Sequence, residues 1–202
     1  MCGIAGYIGR QPPTQARVAA TLEFMRRRGP DAQRSEPVLL GDRVGVLLHS
    51  RLSIIDLDPR SHQPMTIEGC TLVLNGEIYN YVELRERLEA RGVTFRTTSD
   101  TEVLLRSYLA HGERCVEDFE GMWAFAVHDA RAQTVFLSRD RFGEKPLYLF
   151  EAPHGVTFGS EIKFLATLSG TRFSVNERQL LRYLAHGYKS LAKREGETFL
   201  VG

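Results

Sequence analysis

Cys2 directly follows the initiator Met1 and opens an apolar run broken by glycines, Gly3-Ile4-Ala5-Gly6-Tyr7-Ile8. Such a run reads as a buried strand, Gly3 to Ile8, where neighbouring backbones approach closely. The small side chain at position 2 favours removal of Met1, and the leading residue then carries both a thiol and a free α-amine. The unperturbed pKa of that amine is about 7.7–8.0, so an appreciable fraction is an unprotonated base at neutral pH. A nucleophile and its general base then share one residue. A lone cysteine here would otherwise be a small apolar residue starting a strand, and the rest of the chain decides between the two readings.

At 202 residues, the chain has room for one large domain or two small ones. A net charge of +1 gives no reason to expect nucleic acid or an anionic membrane as partner. No apolar run approaches the roughly 20 residues that span a bilayer. A secretory signal is also missing from the N-terminus, so a cytoplasmic location is expected. Cys2, Cys70 and Cys115 are an odd set without metal-ligand spacing, so neither a disulfide framework nor a metal site is expected. Cys70 and Cys115 sit in apolar contexts and read as inert core residues.

Beyond Pro12-Pro13, Val18, Leu22 and Met25 recur at helical spacing from Thr14 to near Arg28. Arg26 and Arg27 read as a solvated helix end beside a Gly29-Pro30-Asp31 turn. Val44 to Ser50 is a strand candidate. The Arg51 that follows opens an apolar stretch, so its guanidinium needs an anion from the protein or from a ligand. His62 to Met65 reads as loop. Thr71 to Leu74 is β-rich and runs into Asn75-Gly76-Glu77, where a hairpin turn would be usual, yet a helix follows. Asn80 with Glu83, and Ser99 with Glu102, read as capping boxes, closed by Gly92 and Gly112. Asp100 falls in a first helical turn, which favours a carboxylate. Four short β runs between Trp123 and Ser160 suggest an antiparallel meander, with Arg139-Asp140-Arg141-Phe142-Gly143 as a salt-bridged corner or a docking edge. Ile162 to Leu168 reads as a closing helix. Ser174 is expected to cap another helix with Glu177 at N3 and Leu180, Leu181 and Leu184 along a face. Residues 189–197 are a charged tail, and residues 198–202 begin an apolar strand that suggests more protein downstream. Strands at both ends of a domain with helices between argue for a layered α+β architecture.

Together, nine stretches resemble the class II glutamine amidotransferase domain of glutamine-hydrolysing asparagine synthetases. They are CGIAGYIG from Cys2, RRRGPD ending at Asp31, SRLSIIDL from Ser50, HQPM from His62 and LNGEIYNY from Leu74. SDTEVLL from Ser99, GMWAFAVHD from Gly121, RDRFGEKPLY from Arg139 and FGSEIKFL from Phe158 complete the set. The resemblance implies an α+β fold of the N-terminal-nucleophile hydrolase type, a four-layer αββα sandwich of two antiparallel sheets between helical layers. It places the glutaminase domain at residues 2–168. Residues 169–202 become a connecting helix and the start of a link to a C-terminal synthetase domain.

The resemblance also implies a chemistry, hydrolysis of L-glutamine through a thioester. Cys2 would be the nucleophile, with the Asn75 side-chain amide and the Gly76 N–H as oxyanion hole. Arg51 would take the glutamine α-carboxylate, and Asp100 and Glu77 the α-ammonium. Backbone around Leu52, Ser53, Ile54 and Ile55 would line the same pocket. Tyr79, Asn80 and Arg28 would support the loops. No cofactor is expected in this domain, while ATP and Mg would belong to the synthetase domain, which would amidate aspartate. The partners implied are L-glutamine and that synthetase domain, with a homodimer as a further option. Two departures stand out: Arg27 where the family carries histidine, and Glu144 where an apolar residue is common. Two alternatives stay open, the same glutaminase feeding another carboxylate acceptor and a non-catalytic regulatory or scaffold domain.

Overall fold

The computed structural model describes residues 1–187 and 198–201. Met1–Ser169 form one compact unit and Gly170–Gly202 a second. The first unit runs β1 (Gly3–Gly9), α1 (Gln15–Met25), β2 (Ala32–Leu40), β3 (Arg43–Arg51), β4 (Met65–Ile67) and β5 (Cys70–Ile78). It continues with α2 (Tyr81–Glu89), α3 (Asp100–His111), β6 (Gly121–Asp129), β7 (Thr134–Arg139), β8 (Tyr148–Ala152), β9 (Gly155–Gly159) and α4 (Ile162–Ser169). One sheet has the order β2-β3-β1-β9-β8 and the other β4-β5-β6-β7, with every neighbouring pair antiparallel.

Strand alternation generates the layers. Ala5 and Tyr7 of β1, with Val46 and Leu48 of β3, face α1 and α4 and meet Val18, Met25, Phe164 and Leu168. Ile4, Leu47 and Phe158 turn the other way and pack on Val73, Ala124 and Ala126 of the second sheet. The far side of that sheet carries Leu72, Leu74, Trp123 and Phe125 against Leu84, Leu104, Leu105 and Tyr108 of α2 and α3. Each fully buried Leu or Phe contributes roughly 1.5–3 kcal/mol. Helices, sheet, sheet and helices thus stack as the αββα sandwich implied by the family resemblance. The glycine-broken character of β1 has a packing cause, because a Cβ on Gly6 would lie 2.2 Å from the Phe158 ring.

His49 joins the two sheets. It is buried between them, and its Nε2–H donates to the Leu74 carbonyl at 3.0 Å. Burial pushes its pKa down to about 3, with the nearby Arg51 and His62 charges adding to the effect. The unfolded chain therefore takes up a proton near pH 6.5 that the folded chain refuses, so stability present above that pH is lost as pH falls toward 3. Between pH 6.5 and 5, His49 accounts for about 2 kcal/mol of lost unfolding free energy. Urea titrations at both pH values should show that drop in the wild type and a correspondingly smaller one in His49→Gln.

Several local expectations are corrected. β2 escapes a pattern-based reading because only Val38 on it is buried, and Pro37 marks it as an edge strand. The four runs after Trp123 are not one meander: β6 and β7 pair in one sheet, β8 and β9 in the other. Met65 opens β4 instead of ending a loop. Asn80 makes no side-chain cap; its Nδ2 donates to the Asp118 carbonyl and its Oδ1 accepts from Glu120 N–H. Ser99 does cap α3, accepting from Thr101 N–H at 3.1 Å, but Glu102 turns to the N–H groups of Arg96 and Thr97 instead of closing the box. The 139–141 corner is held by side-chain bonds to backbone, not by salt bridges within it.

In the second unit, α5 (Glu177–His186) is capped by Asn176, two residues after the expected Ser174. Ser174 instead lies in β10 (Ser174–Val175), paired with β11 (Leu200–Val201). The charged tail at residues 189–197 falls outside the described residues. Cys70 and Cys115 are buried free thiols, and burial pushes both upward, Cys115 to about 12. No helix among the described residues is long and apolar enough to cross a membrane.

Candidate active site

The start of β1, the end of β3, the second half of β5 and the first turn of α3 converge on a cavity of about 210 Å³. That is below the ~300–1,000 Å³ of clefts for drug-sized ligands and suits one small metabolite. Of the ten site residues expected from sequence, nine line it: Cys2, Arg51, Leu52, Ile54, Ile55, Asn75, Gly76, Glu77 and Asp100. Ser53 does not. Its N–H is committed to Asp31 Oδ2 at 2.7 Å.

Cys2 is gripped from two sides. Leu52 N–H donates to its Sγ at 3.4 Å, and Arg28 Nε donates to its carbonyl at 2.8 Å while Arg28 Nη1 pairs with Glu161 at 3.0 Å. Arg28 is therefore the support it was expected to be, acting on Cys2 itself. Burial pushes the Cys2 thiol up, and the Leu52 N–H, the N-terminal ammonium and Arg51 only partly offset this. A thiol held protonated at neutral pH needs a base before it can attack.

Asn75 and Gly76 lie within β5, paired with Ala124 and Trp123, so the Asn-Gly pair is strand and not turn. A Cβ at Gly76 would stand 2.3 Å from the Met122 carbonyl, so the close approach of β6 requires glycine there. Along one edge of β5, Leu74 N–H donates to Gln63 Oε1 at 2.6 Å and Ile78 N–H to Asp100 Oδ2 at 3.1 Å. Alternation places the Gly76 N–H between them on that edge, beyond the last β4 pair, Met65 with Leu72. It is a backbone donor facing cavity instead of strand. Asn75 Nδ2 reaches Ser160 Oγ at 3.5 Å, and that hydroxyl also accepts from Ile4 N–H at 3.1 Å, which ties the Asn75 amide to the strand that carries Cys2.

Arg51 is 5% exposed. Its hydrogen-bond acceptors are backbone carbonyls of the loop that follows: Asp58 at 3.1 Å, Ile55 at 3.3 Å, and Asp56. Three of five N–H groups are thereby used, and two remain for an anion that none of the described residues supplies. Asp56 locks the loop by accepting from Thr98 N–H at 2.7 Å. Such bonds, more than offsetting its burial, hold its carboxyl down at about 2. Asp100, also on the cavity wall, is 6% exposed and its pKa is raised, first by burial, despite bonds from Ile78 and Ser99, with Glu77 adding to the rise. A cation arriving there would relieve that penalty. The cavity therefore holds a positive and a negative group, both close enough to act electrostatically on the Cys2 thiol.

Sequence reasoning missed other residues of the wall, among them Gln63, Ser99, Thr101, Met122 and Lys145. Gln63 bridges Leu74 N–H and Thr101 Oγ1, and the HQPM stretch was its only signal. Tyr79 is exposed, with its N–H on the Glu120 carbonyl. Arg27 and Glu144 are exposed, and nothing in the structure explains their departure from the family pattern. Among the described residues no group of His, Cys, Asp or Glu is arranged to hold a metal ion.

Residues 1–197 match the protein family described as glutamine amidotransferase domain. Asparagine synthetase [glutamine-hydrolyzing] 3 of Bacillus subtilis is 39% identical over 173 residues, covering 81% of this chain and 27% of the relative. Putative asparagine synthetase [glutamine-hydrolyzing] 2 of Methanocaldococcus jannaschii is 32% identical over 233 residues, covering all of this chain and 44% of the relative. The chain thus spans less than half the length of these curated relatives. Among solved structures, glutamine phosphoribosylpyrophosphate amidotransferase of B. subtilis superposes with a TM-score of 0.69 at 20% identity. The match covers 83% of this chain and 44% of that one, a likeness of fold.

Proposed function

Because the chain belongs to the glutamine amidotransferase domain family, we propose that it hydrolyses L-glutamine to L-glutamate and ammonia through a thioester on Cys2. The observation that carries this reading is the cavity that a half-buried thiol shares with Arg51, Asp100 and the open β5 edge. Once Met1 is removed, the Cys2 α-amine takes the thiol proton and Sγ bonds to the amide carbon. Asn75 Nδ2 and Gly76 N–H meet the negative charge on the former carbonyl oxygen; losing one such donor typically costs about 10²–10³ in rate. The C–N bond then breaks, and ammonia departs with the proton held by the amine. Water, deprotonated by the same amine, cleaves the thioester and frees glutamate.

Arg51 binds the glutamine α-carboxylate, and Asp100 with Glu77 binds the α-ammonium, leaving the side-chain amide at Cys2. The names of the relatives and their greater length support a larger setting for the reaction. In that setting the ammonia passes to an ATP-dependent synthetase domain that amidates aspartate to asparagine. Residues 169–202 link to it, and ATP and Mg act only there. The glutaminase half uses no cofactor.

Incubating the Met1-free chain with glutamine should release ammonia and glutamate in equal amounts. An amide without the α-groups should react at least ~10²-fold more slowly, because it leaves buried charges unpaired. A chain that retains Met1, verified by intact mass, has a peptide nitrogen in place of the base and should lose at least ~10² in rate. No ammonia above the protein-free rate from the Met1-free chain would overturn the proposal.

A further inference from the structure

Lys145 is 7% exposed and lines the cavity that holds Cys2. A buried ammonium ordinarily has a carboxylate partner. Among the described residues, the hydrogen-bond partner of Lys145 Nζ is the Met1 thioether at 3.6 Å, a weak acceptor that processing would remove. The loop presenting this lysine is tightly built. Asp140 accepts from the N–H groups of Phe142 at 3.1 Å, Glu144 at 2.9 Å and Lys145 at 2.9 Å. Arg139 donates to the carbonyls of Lys145 at 2.9 Å and Gly143 at 2.6 Å. Asp140 also bonds both backbone groups of Trp123, accepting at 3.3 Å and donating at 2.8 Å. Trp123 is the cross-strand partner of Gly76. The lysine is thus fastened to the backbone directly opposite the Asn75-Gly76 pair.

The four charges lining the cavity sum to zero, two cations and two anions, yet none of them forms a salt bridge with another. Its charged side chains are Arg51 on β3, Glu77 on β5, Asp100 on α3 and Lys145 on the loop after β7. Glutamine bound as proposed above matches Arg51 with its carboxylate and the two acidic residues with its ammonium. Lys145 then remains a cation without an anion. Transfer of the thiol proton to the Cys2 α-amine separates charge, leaving the negative charge first on Sγ and then on the former amide oxygen. A cation matched only at that stage stabilises the transition state more than the bound substrate.

We infer that Lys145 supplies the counter-charge for the Cys2 thiolate and for the oxyanion that follows it. This inference rests on the glutamine-hydrolysis reading and adds no covalent step to it. The thiol proton still travels through the Cys2 α-amine to the departing ammonia, and Lys145 neither gives nor takes a proton.

The test uses the Met1-free full chain. Lys145→Met should lower kcat by about 10- to 100-fold with KM changed by no more than about threefold. The pH midpoint for iodoacetamide alkylation of Cys2, followed on its own peptide by mass spectrometry, should rise by about 0.5 unit or more. Lys145→Arg should keep both close to wild type, because the charge stays. Lys145→Gln replaces the methionine variant if that one does not fold. Wild-type kcat without the charge, equal losses in the Met and Arg variants, or an unmoved alkylation midpoint would each overturn the inference. Failure of the wild type to release ammonia would instead strike the glutaminase reading, while the alkylation midpoint would still report whether Lys145 acts on the thiol.

Discussion

Cys2→Ala should reduce glutamine turnover by at least ~10⁴-fold, the scale on which removal of a nucleophile acts when the remaining groups act only with it. Binding should survive. Arg51 is held by carbonyls of its own loop and Asp100 by Ile78 and Ser99, so neither handle depends on the thiol. Titration calorimetry of Cys2→Ala with glutamine should show one site per chain. Loss of binding in a folded variant would show that the cavity had been assigned to the wrong ligand. Turnover within tenfold of wild type would show that another group does the chemistry.

Arg51→Met should raise KM by about 10²-fold or more, since a ligand carboxylate would be left buried without its partner. The same change removes the hub around which residues 55–58 fold, because the carbonyls of Ile55, Asp56 and Asp58 all converge on that guanidinium. A fall in thermal midpoint should accompany the KM effect. Arg51→Lys separates the two roles: one compact ammonium cannot reach three carbonyls and a ligand at once. It should recover part of the stability and little of the affinity. Steady-state kinetics beside a melting curve distinguishes this from a purely structural arginine, for which affinity would return along with stability.

What could be read from the sequence was what local chemistry dictates. The spacing of Val18, Leu22 and Met25 marked α1, Ser99 marked the start of α3, and an arginine opening an apolar stretch marked a buried guanidinium. Choices between distant partners were not legible. The two hairpins β6-β7 and β8-β9 have similar spacing and texture, yet they join different sheets. Asn80 has the residue type of a cap, but the Asp118 and Glu120 backbone groups claim its side chain. The layered αββα arrangement came from the family resemblance, not from periodicity, because face-to-face sheet packing depends on residues as separated as Ile4 and Ala124.

At the site, the expected residues were those to which the resemblance assigns a role, while Gln63 and Lys145 lie in shared stretches without one. Gln63 and Lys145 reach the cavity from the loop before β4 and from a hydrogen-bonded corner. Neither has a local pattern that points inward. Ser53 shows the converse: neighbours on both sides line the cavity, while its own N–H is spent on Asp31.

The central claim is that the leading cysteine, freed of Met1, is the reacting group. Its most direct test treats the Met1-free chain with an electrophilic glutamine analogue and maps the adduct by peptide mass spectrometry. The account predicts a single modification on Cys2, protection by excess glutamine, and loss of ammonia release in proportion to labelling. Labelling of Cys70 or Cys115 in its place, or full ammonia release from chains already modified at Cys2, would contradict it.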